Sequence, residues 1–252
     1  MSTELIDLGR RVARETGHYS GGNVRDFERV GRHTFQTLLA DGLIPSHRLL
    51  DFGCGSLRNG YWLMRFLNSG NYYGIEPVEK GVRAGLKHLI GPELEAFKQP
   101  TFLFSRDNDI GAFGVPFDYV VARSILSHTC PGMLHKILET FARSSPKGTL
   151  FASYWRLDLP GPPRWWQRRQ RYNPEITRYK NMAVDASRLK ENEIYAVGDE
   201  LPDDDMRFIQ IITYSLDRIQ VIAAQYGLSA EEDWTFQPIN QQIWLKFKKK
   251  GT

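Results

Sequence analysis

Short apolar segments alternate with longer amphipathic segments from residue 48 to residue 155, and this alternation limits the possible folds more than any other feature. The apolar segments predict strands at 49–53, 72–76, 101–105, 117–122 and 149–155. The segments between them predict helices at about 57–68, 78–90 and 131–143. Such alternation is typical of an α/β fold, a doubly wound parallel sheet with helices on both faces.

The chain on either side of this region is organised differently. Two predicted helices, at about 3–16 and 24–41, come before the first strand, so residues 1–45 are predicted to form an N-terminal helical cover. The main domain is predicted to span 46–252, with an insertion at 156–212 where the alternation stops. A helix at 213–226 and strands near 230–237 and 241–248 are expected to complete the sheet.

Composition excludes several classes of protein. The 252 residues include two cysteines, which supply neither a disulfide framework nor a multi-cysteine metal site, so no metal is expected. No apolar run approaches the roughly 18 residues that span a bilayer, and the first residues do not resemble a signal peptide, so a cytoplasmic protein is expected. A net charge of +4 is too weak to indicate nucleic-acid binding alone.

The segment LLDFGCGSLRNG, residues 49–60, joins the first strand to the next helix and carries most of the functional information. Glycines at 53 and 55 allow a sharp turn that a ligand can approach closely. Doubly wound sheets bind nucleotides at the carboxyl end of this strand. A pyrophosphate would be repelled by Asp51, whereas a cationic amino-acid group would be attracted. The second strand ends in Glu76, whose carboxylate can accept hydrogen bonds from ribose hydroxyls.

At these residues the chain resembles the class I S-adenosylmethionine-dependent methyltransferases. The resemblance implies a Rossmann-like seven-stranded sheet whose last strand is antiparallel beside the fifth, with S-adenosylmethionine as cofactor. By position it implies contacts from the turn to the methionine moiety, from the second strand to ribose, from the third to adenine and from the fourth beneath the methyl group. The implied residues are Asp51, Gly53, Cys54 and Gly55 for the methionine moiety, Glu76 for ribose, Asp107 and Asn108 for adenine, and Arg123 and Ser124 beneath the methyl group.

Candidate residues for acceptor chemistry lie after the fourth and fifth strands and in two loops. His128 is the candidate general base, because imidazole titrates near neutral pH; a helix-capping loop histidine is the alternative. Tyr154 and Trp155 are candidates for stacking on the acceptor or for core packing, and Tyr19 for a lid or an ordinary surface loop. Arg58 could pair with a carboxylate of the cofactor or the substrate, but a solvated arginine in the first turn of the helix is expected.

The segment PGPPRWWQRRQRYNP, residues 160–174, interleaves arginines with aromatic residues that include Trp165. This pattern suits recognition of an acceptor, contact within a homo-oligomer, or RNA binding through phosphates and stacking. The acidic run 203–205 suits a solvated turn better than a magnesium site.

The predicted function is methyl transfer to an oxygen of a sugar, glycan or other small polar acceptor. The stretches GRHTF, YYGIEP and FDYVVARSILSH are similar to a bacterial subgroup associated with sugar and glycan modification. The alternatives are a small-molecule N-methyltransferase, an RNA methyltransferase that uses the arginine- and tryptophan-rich insertion, and a non-catalytic binding module. Nucleic acid is not expected as a partner, because the fourth strand lacks the motif typical of enzymes that methylate adenine amino groups.

Overall fold

The structure is a computed structural model of the chain, and it describes residues 3–16, 26–157, 196–207, 209 and 211–251. Two of the predicted site residues, Tyr19 and Trp165, lie outside the described residues, as does the whole of the 160–174 segment. No described helix has the length and apolar character needed to cross a membrane.

Seven strands form one mixed sheet, and two further strands form a small separate one. The strands are β1 (Leu49–Phe52), β2 (Tyr72–Ile75), β3 (Thr101–Leu103), β4 (Tyr119–Ala122), β5 (Thr149–Tyr154), β6 (Ala196–Val197), β7 (Ile212–Thr213), β8 (Leu228–Asp233) and β9 (Ile243–Lys249). In hydrogen-bonding order the large sheet is β3-β2-β1-β4-β5-β9-β8, and β6 pairs with β7. β1 is parallel to β2 and β4, whereas β9 is antiparallel to β5 and β8. The predicted Rossmann-like sheet with an antiparallel last strand is therefore confirmed.

Each predicted helix corresponds to a helix in the structure, but the first and last residues differ from the predicted ones. They are α1 (Thr3–Thr16), α2 (Phe27–Ala40), α3 (Gly60–Phe66), α4 (Glu79–Gly85), α5 (Pro92–Lys98), α6 (Pro131–Ser144) and α7 (Leu216–Gln225). The helix predicted at 78–90 divides, because α4 passes into a π-helical turn at Leu86–Ile90 that ends at Gly91 with φ 83°. α5 was not predicted: its residues are all at least partly exposed, so the segment has no apolar stripe.

The chain divides into two compact units. The first comprises Met1–Asp107 with Val115–Arg123, and the second comprises Asn108–Gly114 with Ser124–Thr252. The predicted boundary between residues 45 and 46 does not coincide with this division, because α1 and α2 belong to the same unit as β1 to β4. α1 packs against α4 and the π-helical turn, where Glu15 contacts Lys87 over 2.9 Å and His88 over 2.7 Å.

The first unit is built around β1, whose four residues are all buried. A central parallel strand is covered on both faces, which is why its sequence is a nearly continuous apolar run. In the second unit β5 is buried along its whole length and pairs with β9. The unit also includes the small sheet of β6 and β7, whose two-residue strands are too short to leave a periodic pattern in the sequence.

α4 packs closely on the turn that follows β1. A Cβ added at Gly85 would lie 2.6 Å from the backbone oxygen of Ser56, whereas one added at Gly81 would lie 3.4 Å from the Ser56 side-chain oxygen. The first distance is shorter than real Cβ contacts allow, and the second is an ordinary contact. The absence of a side chain at Gly85 therefore sets how closely α4 approaches the turn.

Gly85→Ala should lower the free energy of unfolding by about 1–3 kcal/mol, because the added methyl group must push against backbone that cannot move cheaply. Gly81→Ala is the matched control in the same helix, and it should be neutral or stabilising by about 0.5–1 kcal/mol. Urea unfolding of both variants measures the difference. Equal effects of the two substitutions would contradict the close packing of α4 on the turn.

Candidate functional site

Asp51 is the charged residue of β1, and it is fully buried. The Tyr72 hydroxyl donates to Oδ2 over 2.9 Å, and the side-chain amide of Asn59 donates to Oδ1 over 3.3 Å. Burial raises the pKa of the Asp51 carboxyl to about 6, although both hydrogen bonds and the charge of Arg58 act to lower it. The carboxyl is therefore held in one position where β1 passes into the following turn.

The two partners of Asp51 were missed by the sequence analysis, which considered Asp51 only as a ligand to a cationic group. Asn59 comes directly before α3, a position where asparagine often caps a helix. Here its side chain makes no capping bond to the described helix and turns to Asp51 instead. Tyr72 begins β2 within an apolar run, so its sequence context indicated core packing rather than a polar contact.

The turn after β1 contains three residues in the left-handed region of backbone space. Gly53 has φ 72° and Gly55 has φ 54°, and Leu57 adopts φ 62° without the freedom of a glycine. The amides of Gly53 and Cys54 both donate to the carbonyl of Ile75, over 2.8 and 3.1 Å. The turn is thereby fixed to the end of β2, and its backbone curves as the sequence predicted.

Glu76 lies directly after β2 and reaches back to this turn. Its Oε2 accepts a hydrogen bond from the Gly55 amide over 3.0 Å, and Oε1 accepts one from the Val78 amide over 3.0 Å. The backbone amide of Glu76 donates to Leu103 of β3 over 3.1 Å. The structure thus brings together the glycine turn and the carboxylate that the sequence predicted to share a crevice.

The side chain of Cys54 is buried and packs against β2. It is 4% exposed, and a Cβ added at Gly74 would lie 2.9 Å from its Sγ. Burial raises the pKa of the Cys54 thiol well above its usual range, with the charges of Asp51 and Glu76 acting in the same direction. A thiol in this state is a poor nucleophile, so Cys54 contributes its backbone to the turn.

Positive charge is buried beside the turn. Arg58 is 8% exposed and Arg123, directly after β4, is 5% exposed. Burial, together with the charges of Arg58 and Arg29, lowers the pKa of the Arg123 guanidinium to about 9. The expectation that Arg58 is solvated is wrong: α2 lies so close to this part of the turn that a Cβ at Gly31 would be 2.7 Å from the Arg58 carbonyl.

The predicted adenine-binding residues follow β3. Asp107 is exposed, and its Oδ2 accepts from the hydroxyl of Ser105 over 2.8 Å. Asn108 is the first residue of the second unit and has φ 52°, a conformation that asparagine tolerates better than most residues. Its carbonyl accepts from the Thr140 hydroxyl over 3.4 Å. The two side chains are therefore presented by an irregular turn.

Ser124 opens the second unit in a strained conformation, with φ 62°. Its amide donates to Ser153 Oγ over 2.7 Å, and its hydroxyl donates to Gln242 Oε1 over 2.8 Å. The Ser153 hydroxyl donates to the same amide oxygen over 2.9 Å. Strain of this kind is concentrated at functional sites. Neither Ser153 nor Gln242 was predicted, because the three residues are far apart in the chain.

His128 lies in the loop between β4 and α6 and is half-buried. Its Nδ1 is 3.3 Å from the carbonyl of Ile209, and its own carbonyl accepts from the Ile209 amide over 3.3 Å. The position in a loop after a strand agrees with the sequence analysis. The contact with residue 209, which belongs to the predicted insertion, could not be foreseen from the sequence.

The two aromatic residues at the end of β5 differ in their surroundings. Tyr154 is fully buried, and its hydroxyl donates to Glu232, which also accepts from Arg156 over 2.9 Å. This burial contradicts the predicted stacking of Tyr154 on an acceptor, because the ring is enclosed by protein and its polar atom is already bonded. Trp155 is half-buried, and its Nε1 donates to the carbonyl of Asn240 over 3.1 Å.

The acidic run 203–205 is engaged by cationic side chains. Asp203 pairs with Arg218 and lies 3.4 Å from His135 Nε2, and Asp205 binds Arg207 through both carboxylate oxygens. Within the described residues, no group of three or more histidine, cysteine, aspartate or glutamate side chains is arranged to hold a metal ion. The run stabilises the loop that precedes β7.

Comparison with solved structures identifies the fold. Magnesium protoporphyrin IX methyltransferase (ChlM) from Synechocystis PCC 6803 with bound SAH aligns at TM-score 0.56 and 19% identity, over 97% of this chain and 94% of that chain. The DhpI–SAH complex aligns at TM-score 0.57 and 12% identity, over 100% of both chains. The methyltransferase domain of bacterial CtHen1 aligns at TM-score 0.53 and 11% identity, over 89% of this chain and 98% of that domain.

These similarities show that the chain has the Rossmann-like fold of class I S-adenosylmethionine-dependent methyltransferases. No protein-family model and no curated protein matches the chain.

The buried Asp51 should make stability depend on pH. The folded state binds the Asp51 proton more tightly than the unfolded chain does, so the contribution of this group is full below pH 3.8 and is lost as the pH rises through about 6. A rise of the pKa from 3.8 to about 6 corresponds to roughly 3 kcal/mol. Asp51→Asn should therefore gain roughly this amount relative to wild type between about pH 4 and pH 7.

Urea unfolding at the two pH values measures this change. Glu93→Gln makes the same change from carboxyl to amide at an exposed side chain of the same unit, and its difference from wild type should be the same at both pH values. A constant difference between Asp51→Asn and wild type at both pH values would show that Asp51 does not titrate as its burial requires.

Proposed function

We propose that this chain is an S-adenosylmethionine-dependent methyltransferase that methylates an oxygen of a sugar, glycan or other small polar acceptor. The observation that carries the proposal is the contact between the Gly55 amide and the Glu76 carboxylate, 3.0 Å apart, within a methyltransferase fold. It joins the glycine turn to a carboxylate that can accept further hydrogen bonds, at the strand end where folds of this type bind nucleotides.

The nucleoside half of the cofactor is assigned to the turn and to Glu76. A carboxylate oxygen can accept more than one hydrogen bond, so Glu76 can hold the turn and accept from the two ribose hydroxyls together. Gly53 and Gly55 let the backbone approach the ligand without a Cβ. Asp107 and Asn108 are the proposed adenine contacts.

The methionine half is assigned to the polar groups around Asp51. Asn59 Oδ1 is buried and receives no hydrogen bond from the described residues, which makes it a ready acceptor for an ammonium group. Arg58 and Arg123 add buried positive charge that suits the carboxylate of the same moiety. The residues present therefore fit a ligand that carries both an ammonium and a carboxylate. Cys54 contributes backbone, and Ser124 remains the proposed contact near the methyl group.

The cofactor, when bound, supplies an electrophilic methyl group on a sulfonium. The protein must align the acceptor oxygen and remove its proton. His128 is the proposed general base, and Trp155 is a proposed acceptor contact. Tyr19 and Trp165 remain proposed acceptor contacts from the sequence. An amine acceptor would need less help from a base, so the dependence on His128 separates O-methylation from N-methylation.

S-adenosylhomocysteine should bind the wild-type protein, and Glu76→Ala should weaken that binding by roughly 10- to 100-fold, because hydrogen bonds to a charged group are lost. Isothermal titration calorimetry measures both affinities. Glu79→Ala removes an exposed carboxylate three residues away, which pairs with Arg83, and it should leave the affinity unchanged. Failure of the wild-type protein to bind the ligand would contradict the proposed function.

His128→Ala should reduce kcat by roughly 10²- to 10⁴-fold while leaving S-adenosylhomocysteine affinity unchanged, because it removes only the proton acceptor. The assay follows transfer of labelled methyl groups into a panel of sugars and glycans, and turnover is then measured on the acceptor that takes the label. His135→Ala is the control, since His135 lies on α6 and bonds to Tyr226 over 2.8 Å. Transfer to a hydroxyl that proceeds equally well without His128 would exclude it as the base.

A further inference from the structure

Backbone carbonyls of the loop that carries His128 accept hydrogen bonds from a segment far away in the chain. The carbonyls of Ser127 and His128 accept from the amides of Ile212, over 2.9 Å, and Ile209, over 3.3 Å. The next carbonyl, of Thr129, accepts from the Tyr214 hydroxyl over 2.7 Å. Three successive carbonyls of the loop are thus fixed by Ile209, Ile212 and Tyr214.

The far end of the same loop is held in a similar way. The Gly132 amide donates to the Asp205 carbonyl over 2.9 Å, and a Cβ at Gly132 would lie 2.9 Å from that oxygen. We name the four residues that hold the loop, Asp205, Ile209, Ile212 and Tyr214, the clamp. All of them belong to the second unit, as does the loop.

The contact between His128 and the clamp determines which ring nitrogen carries the proton. A carbonyl oxygen only accepts hydrogen bonds, so the 3.3 Å contact with Ile209 requires a proton on His128 Nδ1. In a neutral imidazole the other nitrogen, Nε2, then has the lone pair. The clamp therefore fixes both the position of the ring and its basic atom.

Tyr214 is the part of the clamp that can be tested most sharply. Its ring is fully buried and lies flat on Gly198, where an added Cβ would come within 2.0 Å of the ring carbon Cε1. Burial raises the pKa of the Tyr214 hydroxyl well above its usual range, so it remains a donor to Thr129. Removing only the hydroxyl leaves the Thr129 carbonyl buried without its donor.

We infer that the clamp is a positioning element for the general base, which holds His128 as the Nδ1–H tautomer with Nε2 as the atom that accepts a proton. The inference rests on the proposed function for its chemical meaning. In the reaction the acceptor O–H bond breaks and its proton passes to Nε2. The O–CH₃ bond forms as the S–CH₃ bond of the sulfonium breaks, and its electron pair stays on sulfur. Ile209 and Tyr214 act through His128 and do not themselves react.

Nitrogen-15 NMR of histidine-labelled protein tests the tautomer without any acceptor. At about pH 8.5, well above the ordinary imidazole pKa of about 6.5, His128 should show a protonated Nδ1 and an unprotonated Nε2. The assignment comes from the signal lost in His128→Ala. A wild-type spectrum with the proton on Nε2 would overturn the inference.

Tyr214→Phe tests the clamp. It should speed hydrogen exchange of the Ile212 and Gly132 amides by about fivefold, as expected for loss of one buried hydrogen bond, and should populate both His128 tautomers. Tyr226→Phe removes a tyrosine hydroxyl from the same unit and should change neither signal at His128 nor these exchange rates. If Tyr214→Phe behaves like Tyr226→Phe in both measurements, the clamp does not position His128.

Gly198→Ala is a second test of the clamp. The added methyl group should displace the Tyr214 ring, although the tyrosine keeps its hydroxyl group. It should mix the tautomers as Tyr214→Phe does. Calorimetry with S-adenosylhomocysteine on the same samples separates the two proposals. If the wild-type protein does not bind S-adenosylhomocysteine, the proposed function is rejected. If it binds but His128 carries its proton on Nε2, the inference alone is rejected. The inference alone is also rejected if the protein binds and neither Tyr214→Phe nor Gly198→Ala changes the His128 tautomer.

Discussion

The hydrogen bond from the Gly55 amide to the Glu76 carboxylate is the contact on which the candidate site depends. It joins the turn after β1 to the residue after β2, and the amides of Gly53 and Cys54 reinforce the joint by donating to Ile75. A glycine turn with left-handed residues has many alternative conformations, and this contact selects one of them. The buried carboxyl of Asp51 fixes the other side of the turn through Asn59.

Much of the fold followed from the sequence, because strand and helix periodicities report burial directly. The seven strands of the large sheet were predicted within a few residues, and the apolar run of β1 indicated its central place. The elements that were not predicted have one property in common, which is that they leave no distinctive residue pattern in the sequence. α5 has no buried face, β6 and β7 are too short to show a period, and the π-helical turn at Leu86–Ile90 differs from an α-helix by hydrogen bonding rather than by residue pattern.

The candidate site was predictable only where function demands a special residue type next to a strand end. The glycines and Glu76 met that condition, and the structure brings them into contact. Tyr72, Asn59 and Gln242 did not, since each is an ordinary residue whose importance comes from its partner. Burial was equally hidden: Arg58 in a polar stretch suggested solvent, yet the close approach of α2 encloses it. Long-range packing decides such cases, and one sequence does not display it.

The clamp joins parts of the chain that are made at different times. A ribosome completes the loop at 127–132 well before it reaches residues 205–214, so the carbonyls of Ser127, His128 and Thr129 must wait for their donors. Contacts of high sequence separation form late because long loops must first be closed. The contact between Gly55 and Glu76 in the first unit needs no such delay, since the two residues are 21 positions apart. A nascent chain should thus form the turn after β1 before the loop that carries His128 reaches its final conformation.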